Sequence, residues 1–197
     1  DQKQNLISVE NKYFALGKIQ YQLDHLDQAL QALDMAAGFT NPRDGDYIFE
    51  LKGRVFLKKK EFQTGLQAVR SIPFKARRPY VHWTESDLLV GLKRVDEAKE
   101  ILSRSAERDR RSRHKSLVRL AKISFWLKDH QQALDLAKQA DDFHRSTFVT
   151  PDADGLFWSA AACLRLGQRD EARRIVDELE AFRPTYPYLG KLRAMCG

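Results

Sequence analysis

A chain of 197 residues that is 43% hydrophobic and 31% charged is too rich in large apolar side chains to be disordered, and none of its apolar runs approaches the roughly 18 residues needed to cross a bilayer. Its net charge of +7 suits an acidic partner, whether peptide, nucleic acid or anionic lipid, although the interspersed Asp and Glu fit a merely soluble surface equally well. Cys163 and Cys196 make no disulfide framework, which fits a reducing, cytoplasmic compartment, while the missing initiator Met leaves a fragment or a processed periplasmic or secreted product open.

In chain order, residues 1–9 read as a lead or the tail of a preceding helix. Tyr13, Leu16, Gly17 and Tyr21 then fall at helical spacing, Asp24-His25 makes a turn, and Leu26, Ala29, Leu30, Leu33 and Ala36 continue the period on a second helix. Gly38 and Asn41-Pro42 end it. The small Gly17 and Ala29 let the two antiparallel helices approach closely. The unit recurs: Phe49, Gly53 and Phe56 precede Phe62, Gly65 and Val69, and a third pair closes on Val95-Asp96-Glu97-Ala98 and Leu102. A fourth runs from Leu117, Leu120 and Ala121 to Ala133, Ala137 and Ala140, and a fifth from Leu156 and Ala160 through Gly167 to Ala172, Val176 and Leu179. The small anchors Ala29, Gly65, Ala98, Ala133 and Ala172 are spaced 36, 33, 35 and 39 residues apart. A period in the thirties built from two helices marks stacked hairpins, an architecture that offers a surface and not a catalytic cleft. The array is expected over 10–185, with turn-rich joints at Gly38–Gly45, Pro73–Pro79 and Phe148–Gly155. After Pro184, Tyr186-x2-Leu189-Gly190 predicts a short helix over 186–197 that caps the last apolar face.

These positions resemble the tetratricopeptide repeat, whose pattern is Trp-x2-Leu-Gly-x2-Tyr, then Ala, an aromatic or aliphatic, Ala and Pro. The first hairpin matches at Tyr13, Leu16, Gly17, Ala29, Leu33, Ala36 and Pro42, with Gln20 where Tyr is usual. The second carries Lys52 in the Leu position, and the third departs most, with Glu85-Ser86 replacing Leu-Gly. The resemblance covers about residues 10–190 and implies an all-α, right-handed α-solenoid of about five hairpins with a C-terminal capping helix.

It also implies that the first helix of each pair lines a concave groove holding a partner segment. The positions carried over are Asn11, Phe14, Lys18 and Tyr21, then Tyr47, Glu50, Arg54 and Lys58, then Tyr80, Trp83 and Asp87. Lys115, Val118, Lys122, Phe125 and Trp126 follow, with Asp154, Phe157 and Arg165 from the fifth pair. Among them Phe14, Lys18, Tyr21, Arg54, Lys58, Trp83, Lys122, Phe125 and Trp126 form the candidate partner-binding set. Rings bury area at low entropy cost, and Lys or Arg pairs with carboxylates, so the implied partner is a protein or peptide of acidic character. Some members of the family clamp a terminal carboxylate with an Asn and Lys/Arg set. Here Lys18 stands where the first Asn belongs and Leu51 where a second does, so that clamp is not expected.

Catalysis finds little support. The five histidines are scattered without metal-ligand spacing, and there is no Gly-rich phosphate loop or nucleophile elbow, so neither metal nor cofactor is expected. Cys163, in an apolar string, reads as a buried small hydrophobe and Cys196 as a loose terminal thiol. One further segment stands out: Arg104, Arg108, Arg110, Arg111, Arg113 and Lys115 face only Glu107 and Asp109. With Lys75, Arg77 and Arg78 it predicts a phosphate-binding edge for RNA or another polyanion, but it lacks interleaved aromatics for base stacking. A solvated helix end, where cations favour the dipole, accounts for the same run. The expected function is a non-catalytic protein-interaction scaffold, with polyanion binding through 104–115 as the alternative.

Overall fold

The computed structural model describes residues 7–197; residues 1–6 of the expected lead lie outside the described residues. Among the described residues there are eleven α-helices, one 3-10 turn and no strand. No helix among them is long and apolar enough to cross a membrane. The chain divides into two compact units, residues 1–98 and 99–197.

In the first unit, α1 (Val9–Gln22) pairs with α2 (Leu26–Ala37), and α3 (Asp46–Lys59) with α4 (Phe62–Arg70). A 3-10 turn at Phe74–Ala76 leads into α5 (Pro79–Gly91), after which α6 (Val95–Arg108) begins. Helix α3 touches α1, α2, α4 and α5, so the first helices α1, α3 and α5 lie side by side. Ala29, Leu33 and Ala36 of α2 form a core with Ile48, Leu51 and Val55 of α3, each under 5% exposed. Leu51 therefore belongs to the core and not to a groove position, because it faces α2. Close packing requires Gly53: a Cβ there would lie 2.4 Å from Val69 Cγ2 and 3.3 Å from Thr84 Cγ2.

In the second unit, α7 (Arg113–Trp126) pairs with α8 (His130–Phe148), and α9 (Ala153–Arg165) with α10 (Arg169–Phe182). The last helix, α11 (Leu189–Cys196), packs on α9 and α10. Its Leu189, Leu192 and Cys196 join the core of Leu156, Ala160, Cys163, Val176 and Leu179. Arg193 bridges Asp177, at 3.2 Å, and Glu180, while Arg173 Nη2 donates to the Cys196 carbonyl at 2.9 Å. The helix begins at Leu189 and not at residue 186, because Pro187 precedes Tyr188, which turns the chain at φ 66°. Cys196 is 3% exposed, so the expected loose thiol is a core residue of the cap; burial pushes its thiol pKa up.

The turns that follow α1, α3, α5, α7 and α9 repeat one device. Asp24, Lys60, Lys93, Lys128 and Gly167 adopt left-handed φ of 64°, 61°, 61°, 66° and 78°. In the second pair, Lys60 N–H donates to Leu57 O at 3.1 Å and Glu61 N–H to Phe56 O at 2.9 Å. Matching bonds recur at Lys93-Arg94, Lys128-Asp129 and Gly167-Gln168, so each turn satisfies the carbonyls that a helix end leaves open.

The departure of the third pair from the repeat pattern has a structural reason. Glu85, at 2% exposure, accepts from Arg70 Nε at 2.8 Å and Arg77 Nη1 at 2.9 Å. Arg77 also donates to the carbonyls of Ile72 and Arg70. The carboxylate thus ties α5 to the end of α4 and the joint that follows, and Arg77 is absorbed into this clamp instead of lining a phosphate-binding edge. Arg78 lies 3.3 Å from the buried Asp46 carboxylate.

Candidate functional site

The expected binding residues fall on the first helices of each unit. In the first unit, Phe14 of α1 meets Tyr47 of α3 edge-on at 4.6 Å between centroids. The Tyr47 hydroxyl donates to Glu10, and burial followed by that carboxylate pushes its phenol up to about 12. Tyr80 donates to Asp46 Oδ2 at 2.6 Å, and burial with this bond raises its phenol as well. Thr84 donates to Glu50. Tyr21 lies beneath two cations, Arg54 at 4.9 Å and Lys58 at 4.4 Å. Arg54 Nε is 4.0 Å from Glu50, and Lys58 Nζ is 3.0 Å from Asp24. The structure therefore brings Phe14 to Tyr47, and Tyr21 to Arg54 and Lys58. Lys18 is exposed elsewhere on α1, and Trp83 is half-buried on α5. Carboxylates occur on this face because Glu10 and Asp46 sit in the first turns of α1 and α3, where the helix dipole favours negative charge.

The face of α7, α9 and α11 differs in charge. Lys122 Nζ lies 4.6 Å from the ring of Trp126, one turn later on α7, and Trp126 is 54% exposed. Phe125 meets Trp158 edge-on at 5.4 Å and carries the Arg165 guanidinium at 6.0 Å. Phe157 touches Trp158 and Tyr186, at 5.3 and 5.4 Å, and Tyr186 donates to Asp154. Burial and that bond raise the Tyr186 phenol. A cavity of about 270 Å³ opens among Phe125, Phe157, Trp158, Ala161 and Arg165 and, from the C-terminal segment, Tyr188, Lys191, Leu192 and Met195. Lys191 Nζ lies 5.6 Å from the Tyr188 ring. Among the described residues, Lys122, Arg165 and Lys191 have ring partners and no carboxylate partner. Sequence reasoning singled out Lys122, Phe125 and Trp126 and missed Trp158, Tyr188, Lys191 and Met195. The signal was there, since Tyr188, Lys191, Leu192 and Met195 recur at i, i+3, i+4 and i+7, one face of a helix.

The basic segment forms the end of α6, a turn and the start of α7. Arg104 pairs with Glu100, and Asp109 Oδ1 accepts from the backbone of Arg111 and Ser112 at 3.0 and 2.9 Å, shaping the turn. Arg113 lies 6.0 Å from the Phe143 ring. Arg108, Arg110, Arg111 and Lys115 are exposed. The dipole account of a helix end suits Arg108 in the last turn of α6, but Arg113 and Lys115 stand in the first turn of α7, where a cation opposes the dipole. Beside them His114 is 7% exposed; burial, then His144 and Lys115, lowers its pKa to about 4. Its Nδ1 has no hydrogen-bond partner, and its ring packs against His144 at 4.7 Å and Phe148 at 5.8 Å. Among the described residues, no group of three His, Cys, Asp or Glu side chains is placed to hold a metal ion.

The sequence matches no protein-family model and no curated protein. The structure is similar to several solved proteins built of tetratricopeptide repeats. One is TTC0263, a thermophilic TPR protein of Thermus thermophilus, with a TM-score of 0.76 at 20% identity over 95% of this chain and 98% of that one. YrrB, a TPR protein with an unusual peptide-binding site, gives a TM-score of 0.57 at 14% identity over 92% and 90% of the two chains. A Rap protein complexed with competence and sporulation factor gives 0.77 at 15% identity over 96% of this chain and 59% of its own. The likeness is one of fold: the chain has the helical-repeat fold of the tetratricopeptide proteins.

Proposed function

We propose that the protein is a non-catalytic interaction scaffold that holds an acidic segment of a partner protein against the first helices of its repeats. Two similarly folded proteins are described by a peptide-binding site and by a complex with a factor, which supports a binding role for such a surface. The observation that carries the reading is the set of Lys122, Arg165 and Lys191, cations set over aromatic rings with no carboxylate partner among the described residues. A partner carboxylate supplies what they lack, and the rings supply apolar area that holds its neighbours. Phe14, Lys18, Tyr21, Arg54, Lys58 and Trp83 extend the candidate set on the first unit, where Glu50 and Asp24 already offset Arg54 and Lys58. Lys122, Phe125 and Trp126 are thus the stronger part of that set.

The test is selection from a random peptide library on the purified protein. Acidic peptides should be enriched, and capture should fall about tenfold with Lys122→Glu, the scale of one charge-assisted contact. Arg54→Glu should cost less. Undiminished capture by a Lys18→Glu/Arg54→Glu/Lys122→Glu variant removes the first-helix faces from consideration. Nucleic acid that copurifies and is lost on Arg110→Glu/Arg111→Glu would move the function to the segment 104–115.

A further inference from the structure

We propose that the cavity between α9 and α11 takes one aromatic side chain of the partner segment, with a flanking carboxylate of that segment held by Arg165 and Lys191. This rests on the peptide-binding reading above and adds to it the place and the recognition rule. The lining is aromatic and aliphatic, through Phe125, Phe157, Trp158, Leu192 and Met195, and its two charged members are both cations. Arg165 and Lys191 lie over rings at 6.0 and 5.6 Å and have no carboxylate partner among the described residues. The complement of that lining is a flat apolar group beside a negative charge.

Size narrows the occupant. A cavity of about 150 Å³ holds a benzene ring, and sites for drug-sized ligands begin near roughly 300 Å³. At about 270 Å³ this one has room for a single ring and its attachment to a backbone. Tyr188 and Met195 are 67% and 54% exposed, a large apolar surface left to solvent beside the opening residues. The wall is preformed: Arg193 fastens α11 to Asp177 and Glu180, and Arg173 holds the Cys196 carbonyl. A rigid wall lowers the ordering cost of binding.

The experiment uses the full chain and three synthetic probes: acetyl-Glu-Trp-Glu-amide, its counterpart with Ala for Trp, and its counterpart with Gln for both Glu. Calorimetric titration should show the first binding about tenfold or more tighter than the other two, the effect of losing one charge-assisted contact or one buried ring. Ala161→Phe, which fills the cavity from α9, and Arg165→Glu/Lys191→Glu should each cost about tenfold, with melting temperatures recorded for every variant. Lys191 is exposed, so Lys191→Glu alone serves if another variant does not fold. The proposal is overturned if the three probes bind alike, if none binds, or if the cavity variants leave affinity unchanged. Should affinity fall with Lys122→Glu and not with the cavity variants, the first-helix reading stands and the cavity assignment is lost. Indole-3-acetate is the fourth arm: if it binds the cavity while the peptides do not, the cavity takes a small aromatic acid and the peptide assignment is wrong.

Discussion

Replacing Arg77 by Ala removes three hydrogen bonds at once, from Nε to Ile72 O at 2.9 Å, Nη1 to Glu85 at 2.9 Å and Nη2 to Arg70 O at 3.2 Å. It leaves Glu85, 2% exposed, with Arg70 as its remaining ion-pair partner at 2.8 Å. Breaking a buried ion pair from one side costs about 3–5 kcal/mol, because an under-compensated charge stays in a poor solvent. The Arg70 side chain is 39% exposed, so water screens that side and the lower end, about 3 kcal/mol, applies. For a chain of this length the melting temperature should fall by about 6–12 °C. Glu85→Leu does something different. It removes the charge itself and installs the residue type that the repeat pattern carries there, and Arg77 keeps both carbonyl acceptors. It also leaves Arg77, whose side chain is 12% exposed, without its carboxylate and held by carbonyls alone, so a loss of about 3 kcal/mol is expected here as well. In the Glu85→Leu background, Arg77→Ala should then cost only its carbonyl bonds, about 1–2 kcal/mol. Thermal and urea melts of the four proteins measure the cycle. Losses that simply add in the double variant, or a loss below about 1 kcal/mol for Arg77→Ala, would refute the clamp.

The left-handed turns predict that Lys60→Gly, Lys93→Gly and Lys128→Gly each stabilise by about 0.5–1 kcal/mol, since glycine lacks the Cβ penalty there. Lys138→Gly, inside α8, should cost about 1 kcal/mol, and a loss at all four sites would contradict the turn assignment. Gly53→Val should destabilise by about 1–3 kcal/mol through its contact with Val69, read as a lower urea midpoint. His114 makes stability depend on pH: its folded pKa of about 4 lies below the ordinary value of 6.5, so the unfolded chain binds the extra proton in that window. Stability should therefore fall as pH drops from about 6.5 to 4, by about 1–2 kcal/mol after solvent screening, and His114→Phe should flatten the slope. Asp152, whose pKa burial raises, contributes in the opposite sense at the acid end.

Much of the fold was legible because packing repeats with the chain. Ala29, Ala98, Ala133 and Ala172 are fully buried, as small anchors between close helices must be. The turn conformation is legible at Gly167 and at Asp24, whose residue types tolerate the left-handed region, but lysine carries no such signal; Lys60, Lys93 and Lys128 are forced there by the helices they join. Glu85 looked like a departure from the pattern because its partners, Arg70 and Arg77, sit outside its helix and no spacing rule links them. On the candidate faces, the resemblance to the repeat implies Tyr21, Arg54, Lys122 and Phe125 but not which cations are already neutralised, a matter of side-chain geometry across helices. The periodicity through Tyr188 and Lys191 predicts a capping helix but not that this segment also walls a cavity, which depends on how it packs on α9.

The most direct measurement is backbone amide chemical-shift mapping on the full chain titrated with acetyl-Glu-Trp-Glu-amide. Shifts concentrated on α7, α9 and α11, around Lys122, Phe125, Trp158, Ala161 and Lys191, are the predicted result. Shifts confined to α8 and α10, or to the segment 104–115, would contradict it.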